Sequence, residues 1–251
     1  MTSKDCIIIT GSNGGIGKAL TAKFLKEGFF VIGIDVVDLD KQQQNFINLH
    51  MDLNRFVNEN DYRQESISSL KALIPADLDK LFLVNNAALQ VVKPFKKLTA
   101  EDFTDTLSVN TLAPFFLIQG LEVELVKYNS NVLNISSIHS NLTKELFTAY
   151  AASKAALESI TRSLALELSS QGVSINSLAP AAIETEMLRE GFKDNELGLK
   201  SLESFHPVGR IGNPEEISNF IFFLLNSNNK FLTGSVIPYN GGIGSKLFDP
   251  S

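Results

Sequence analysis

Cys6-Ile-Ile-Ile-Thr10-Gly-Ser-Asn-Gly-Gly-Ile-Gly17 sets a short apolar run directly before a turn with four glycines, and the reading of this stretch decides the fold. The run has the length of a buried strand, and the residues from Gly15 onward have helical spacing. A strand that turns on glycines into a helix lets backbone N–H groups approach a pyrophosphate at the helix N-terminus. Gly11, Ser12, Asn13, Gly15, Ile16 and Gly17 are therefore candidate dinucleotide contacts. By itself the turn also suits a plain tight turn or a methyltransferase cofactor loop. Eighteen positions after Gly17, however, Phe29-Phe-Val-Ile-Gly-Ile-Asp35 ends a second apolar run in a carboxylate, which can accept hydrogen bonds from the adenosine ribose hydroxyls. Asp35 repels a 2′-phosphate, and neither Val36 and Val37 nor Gly14 offers a cation, so the sequence predicts NAD(H) rather than NADP(H).

Outward from this unit, apolar runs recur at Phe46 to Met51, Leu81 to Asn85, Val132 to Ser136, Val173 to Leu178 and Ser235 to Pro238. They bring the expected strands to about seven, alternating with segments of helical length such as Gly15 to Glu27, Glu101 to Lys127 and Ala149 to Ser170. This alternation predicts an α/β fold: a doubly wound parallel sheet of Rossmann type, with helices on both faces in three layers. With 251 residues the chain is expected to form a single domain over 1–251. Residues 181–214 hold no strand candidate and read as a lid-like insertion, partly helical and mobile.

A formal charge of -6 leaves no positive field for phosphate backbones, so no nucleic-acid partner is expected. The first apolar run is too short for a signal peptide or a membrane span, which predicts a cytoplasmic protein with no membrane partner. Cys6 is the only cysteine, and His, Asp and Glu form no group at ligand spacing, so no metal is expected.

Tyr150 and Lys154 stand four residues apart in Phe147-Thr-Ala-Tyr-Ala-Ala-Ser-Lys-Ala-Ala-Leu157. On a helix that spacing puts both on one face. An ammonium beside a phenol lowers its pKa toward the range useful for proton transfer. Taken alone, the same spacing fits an ordinary amphipathic surface helix.

With the glycine turn, Asp35 and the Tyr-Lys pair in their places, the chain resembles the short-chain dehydrogenase/reductase family over nearly its whole length. Asn85-Asn86-Ala87-Ala88 is similar to the family's Asn-Asn-Ala-Gly, which shapes the adenine side and steadies the sheet. Asp52, in Met51-Asp-Leu53, matches the acidic residue at the adenine ring, and Asn110 the asparagine that bends a helix and holds a water. In Asn134-Ile-Ser-Ser137 the family serine stands thirteen positions before the tyrosine, which selects Ser137 rather than Ser136. Asn176-Ser-Leu-Ala-Pro180-Ala-Ala-Ile183-Glu-Thr185 resembles the segment beside the nicotinamide. The Gly209-Arg-Ile-Gly-Asn-Pro-Glu-Glu216 and Leu232-Thr-Gly234 stretches match as well. Ala88, Ala181 and Tyr239-Asn240 depart from the pattern, and Ala181 puts an extra methyl near the expected nicotinamide or substrate.

The resemblance implies hydride transfer between a secondary alcohol or ketone and a nicotinamide cofactor. Tyr150 is the acid/base, Ser137 holds the substrate oxygen, Lys154 depresses the phenol pKa and binds the ribose, and Asn110 holds a water. Leu53, Asn86, Ala87, Pro180, Ile183 and Thr185 join the cofactor contacts. Ser137, His139, Tyr150 and Ala181 are candidate substrate contacts, although a plain loop role is preferred for His139. The expected substrate is a sugar or other polar hydroxy compound, and the expected assembly a homotetramer, or a homodimer. Two other readings compete. A 3-oxoacyl-carrier-protein reductase using NADPH needs a basic patch, whereas here Lys127 and Arg162 are isolated and position 171 is Gln. A non-catalytic NAD-binding regulator has no need of the phenol.

Overall fold

The computed structural model describes residues 4–38, 43–227 and 229–247, so both ends of the expected 1–251 domain lie outside the described residues. Seven parallel strands form one sheet: β1 (Asp5–Thr10), β2 (Phe30–Asp35), β3 (Phe46–His50), β4 (Lys80–Asn85), β5 (Asn131–Ile135), β6 (Ser174–Pro180) and β7 (Val236–Tyr239). Their order is β3-β2-β1-β4-β5-β6-β7, with Ile8 paired to Ile32 on one side and to Leu83 on the other. The strand order reverses between β1 and β4, where open α/β sheets leave a crevice at the carboxyl ends of their strands.

Ten helices are described: α1 (Gly15–Lys26), α2 (Leu53–Asn58), α3 (Asn60–Leu73), α4 (Ala100–Leu107), α5 (Ala113–Gly120), α6 (Glu122–Lys127), α7 (Thr148–Leu168), α8 (Glu186–Gly191), α9 (Glu196–Phe205) and α10 (Pro214–Asn226). Alternation along the strands divides the core between the two faces of the sheet. Cys6, Ile8, Leu81 and Leu83 turn to a layer with Leu117, Leu121 and Leu168. Ile7, Ile9, Phe82 and Val84 turn to a layer with Leu20, Phe24, Ile221 and Leu225. This second layer is closed by rings: Phe24 meets Phe29 edge-on at 5.0 Å and Phe222 at 5.3 Å.

One expected element is corrected. Glu101 to Lys127 is not a single helix but α4, a π turn over Ser108–Leu112, α5 and α6. Pro114 has no N–H to return to the Asn110 carbonyl, so the regular ladder fails there. The Ala113 N–H reaches the Ser108 carbonyl instead, five residues back. The 181–214 segment holds α8 and α9, with Ile183 bridged to Gly212.

Candidate active site

The glycine turn sits at the carboxyl end of β1, against the loop after β4. Thr10 Oγ1 accepts from the N–H groups of Asn86 and Ala87, while the Asn86 amide donates to the carbonyls of Thr10 and Gly11 at 3.0 and 3.1 Å. A Cβ on Gly17 would fall 1.9 Å from the Gly11 carbonyl oxygen, and Gly11 holds φ +64. Neither position admits a side chain without rebuilding the turn. Gly14, by contrast, has open space where its Cβ would stand. A backbone cradle beside a helix N-terminus fits a pyrophosphate.

At the end of β2, the Asp35 carboxylate accepts from the N–H of Asn13 at 3.0 Å and of Val37 at 3.1 Å. These bonds fix it in place and leave further lone pairs for ribose hydroxyls. Asp52 caps α2, its Oδ1 accepting from Asn54 and Arg55 N–H, and Leu53 is buried in the core. Ile16 packs against the second core layer. From the end of β6, Pro180 leads through Ala181 and buried Ile183 to Thr185. The Thr185 methyl stands 3.1 Å from where a Gly15 Cβ would be, so the start of the 181–214 segment meets the glycine turn. Thr185 Oγ1 caps α8 by accepting the Leu188 N–H at 3.2 Å.

The structure brings Ser137, Tyr150, Lys154 and Asn110 together at the carboxyl ends of β4 and β5. The Ser137 hydroxyl lies beside the Tyr150 phenol, favouring its ionised form, and accepts the His139 N–H at 3.2 Å. Ser136 is committed elsewhere, donating to Glu158 Oε1 at 2.7 Å. Lys154 is 2% exposed and lies 5.7 Å from the Tyr150 ring centre. Its Nζ donates to the Ile135 carbonyl at 2.7 Å. Asn110 donates both amide hydrogens, to the Leu89 carbonyl and Ser153 Oγ, and accepts the Leu89 N–H. With Pro114 four residues on, the Asn110 main-chain carbonyl lacks the usual helical donor.

Burial is the largest influence on both Tyr150 and Lys154. The phenol is raised by desolvation, offset in part by the Ser137 bond, and Lys154 is pushed down to about 7 by burial. His139 stacks on Phe147 at 4.5 Å, and its ring centre lies 6.0 Å from that of Tyr150. Burial, helped by the Lys144 charge, lowers its pKa to about 4, so the ring beside the phenol is neutral.

Sequence reasoning missed Ser153 and Glu158, which tie α7 to Asn110 and to Ser136. Both lie on the helical stripe that carries Tyr150 and Lys154, three and eight residues after the tyrosine. Polar residues on a helix's buried stripe were the available signal. Among the described residues, no group of His, Cys, Asp and Glu could hold a metal, and no helix is long and apolar enough to cross a membrane.

The family model described as enoyl-(acyl carrier protein) reductase matches residues 11–244. A 5-keto-D-gluconate 5-reductase of Escherichia coli K12 is 30% identical over 94% of this chain and 94% of its own length. A 3-oxoacyl-[acyl-carrier-protein] reductase of Thermotoga maritima is 32% identical over 97% of this chain and 98% of its own. The chain spans only 43% of an uncharacterized short-chain type dehydrogenase/reductase of Sinorhizobium fredii, to which it is 32% identical. In solved structures, 4-hydroxyisoleucine dehydrogenase complexed with NADH matches with a TM-score of 0.86 and 27% identity, covering 97% of this chain and all of that one. ElxO with NADP bound gives a TM-score of 0.85 and 26% identity at the same coverage. The seven-stranded parallel sheet is of Rossmann type, and the family match together with the reductase and dehydrogenase relatives makes the chain an oxidoreductase acting on CH–OH groups. The chain belongs to the short-chain dehydrogenase/reductase family.

Proposed function

We propose that the chain interconverts a secondary alcohol and a ketone with NAD(H), on a sugar or another polar hydroxy compound. The observation that carries this reading is the placement of Ser137 beside the Tyr150 phenol, with Lys154 one helical turn on and 5.7 Å from the Tyr150 ring, at the end of the sheet that bears the glycine turn. The glycine turn, Asp35, Thr185 and Lys154 hold the cofactor in this reading. When bound, the nicotinamide supplies hydride exchange at the carbinol carbon. Ser137 orients the substrate oxygen and stabilises charge on it. Tyr150 takes or returns the proton on that oxygen. Lys154 connects the phenol to the water at the Asn110 carbonyl, so that the proton reaches solvent. His139, neutral and against the phenol, offers a second polar contact to a neighbouring hydroxyl of the substrate.

NAD(H) is favoured by the Asp35 carboxylate, and the sugar class has support from the 5-keto-D-gluconate 5-reductase relative. The Thermotoga relative supports the carrier-protein alternative, against which stands the lack of a basic patch, Lys127 and Arg162 being isolated. We further take the chain to work as one domain, with residues 181–214 as its lid, and to assemble as a homotetramer. A cytoplasmic setting accords with its lone thiol, Cys6, being buried and unpaired with any other cysteine.

The test is Tyr150→Phe. Loss of the acid/base is expected to lower kcat by about 10²- to 10⁴-fold while NADH binding, followed by fluorescence, is nearly unchanged. Full turnover in that variant excludes the assigned role. An NAD+ reduction screen over sugars, polyols, hydroxy acids and aliphatic alcohols identifies the substrate class.

A further inference from the structure

Asn48, on β3, lies opposite Gly33 of β2 and carries no role in the reading so far. Its side chain closes a ring of hydrogen bonds around Asp35. The Asn13 amide donates to the Val37 carbonyl at 2.6 Å and to Asn48 Oδ1 at 3.0 Å, which uses both of its hydrogens. Asn48 donates to the same Val37 carbonyl at 3.2 Å, and the Ser12 hydroxyl donates to Asn13 Oδ1 at 3.0 Å. A carbonyl can only accept, so the orientation of both amides is fixed by the network itself. Within this ring the backbone N–H groups of Asn13 and Val37 are turned onto Asp35.

The chemical result is a pocket edge whose Asn13 and Val37 donors are all held by protein acceptors. What it offers a ligand is chiefly lone pairs, those of the Asp35 carboxylate first. Two adjacent ribose hydroxyls, which donate, suit such an edge. A 2′-phosphate, which needs donors or cations, does not.

We propose that Asn48 is a specificity-determining residue for the dinucleotide: by holding the Asn13 amide away from the ligand, it selects a free adenosine ribose over a 2′-phosphorylated one. This rests on the reading of the glycine turn and Asp35 as a nicotinamide dinucleotide site. In the absence of Asn48, the Asn13 amide loses one of its two acceptors and can turn a donor toward a phosphate oxygen.

The experiment is a fluorescence titration of the purified full chain with NADH and NADPH, which carry the same fluorophore, for wild type, Asn48→Ala and Asn48→Lys. Circular dichroism confirms that each variant is folded. Wild type should bind NADH the more tightly. In Asn48→Ala the ratio of the two Kd values should fall by about tenfold, the size of one well-placed hydrogen bond, and in Asn48→Lys it should fall further. Equal weakening of both ligands in Asn48→Ala, with the ratio unchanged, makes Asn48 a structural strut and overturns the proposal while leaving the dinucleotide reading intact. If Asn48→Ala does not fold, an unchanged ratio in Asn48→Lys has the same force. Wild type that binds neither ligand removes the dinucleotide reading itself, and wild type that prefers NADPH removes both the NAD(H) assignment and the role of Asn48.

Discussion

At Lys154 an ammonium has exchanged water for one carbonyl, that of Ile135, and the cost of that exchange sets its titration. In the folded chain it loses its proton at about 7, against an ordinary 10.5. Between those values the unfolded chain binds more protons than the folded one, so stability rises with pH across the window. Wild type is therefore expected to gain about 2 kcal/mol from pH 7 to pH 9 relative to Lys154→Met, read from urea midpoints at the two pH values. Equal pH dependence in the two proteins removes the buried-cation account. His139 follows the same sign at lower pH. Its folded value of about 4 lies below the ordinary 6.5, so its contribution to stability falls as pH drops through that interval. His139→Gln should be less acid-sensitive, with a midpoint that changes less between pH 6.5 and pH 4. The Tyr-Lys pair was legible because it is a spacing along one helix. The environment of His139 was not, because it depends on where Phe147 closes the loop, eight residues on.

Among the elements, the strands were the most legible part of the chain, since a parallel strand buried on both faces is written as a continuous apolar run. All seven runs became strands, with ends shifted by one or two residues. What the runs did not disclose is a polar ladder that crosses them. Asn85 on β4 donates to Asn134 on β5 at 2.8 Å, Asn134 donates to Thr161 on α7 at 2.9 Å, and Thr161 meets Ser177 on β6 at 2.8 Å. Partners so far apart in sequence share no local pattern, and each residue read singly looks like a strand end. The break at Asn110 was only half legible. Asn110 itself was expected to bend the helix, but the absence of a donor at Pro114 makes the bend obligatory. Because each member of the ladder is fully buried or nearly so, one apolar replacement leaves its neighbours unpaired. Thr161→Val is expected to cost about 1 to 3 kcal/mol by chemical denaturation, with kcat little changed, since Thr161 touches none of the reacting groups. A large loss of kcat at unchanged stability would separate the ladder from its structural role.

For the molecule as a whole, α7 joins the site to the outer surface. Its buried face carries Lys154, Leu157, Thr161 and Ala165, and its outward face carries Ala152, Ser159, Ser163 and Leu166 at helical spacing. Leu166 is 83% exposed. Small residues beside a leucine allow two helices to approach closely, and two copies of α7 meeting across a twofold axis fill that face with like residues. In the proposed assembly such pairing would also hold the helix that carries Tyr150 and Lys154. Light scattering after size exclusion is expected to give about four times the chain mass of 27.5 kDa. Ser159→Trp, which sets a large ring on the outward face with no contact to the site, should shift that mass to a smaller species. Its activity should fall with dilution more steeply than that of wild type, because the smaller species leaves α7 without its partner. A monomeric wild type with full activity removes the assembly, and an unchanged mass in Ser159→Trp moves the interface to another face.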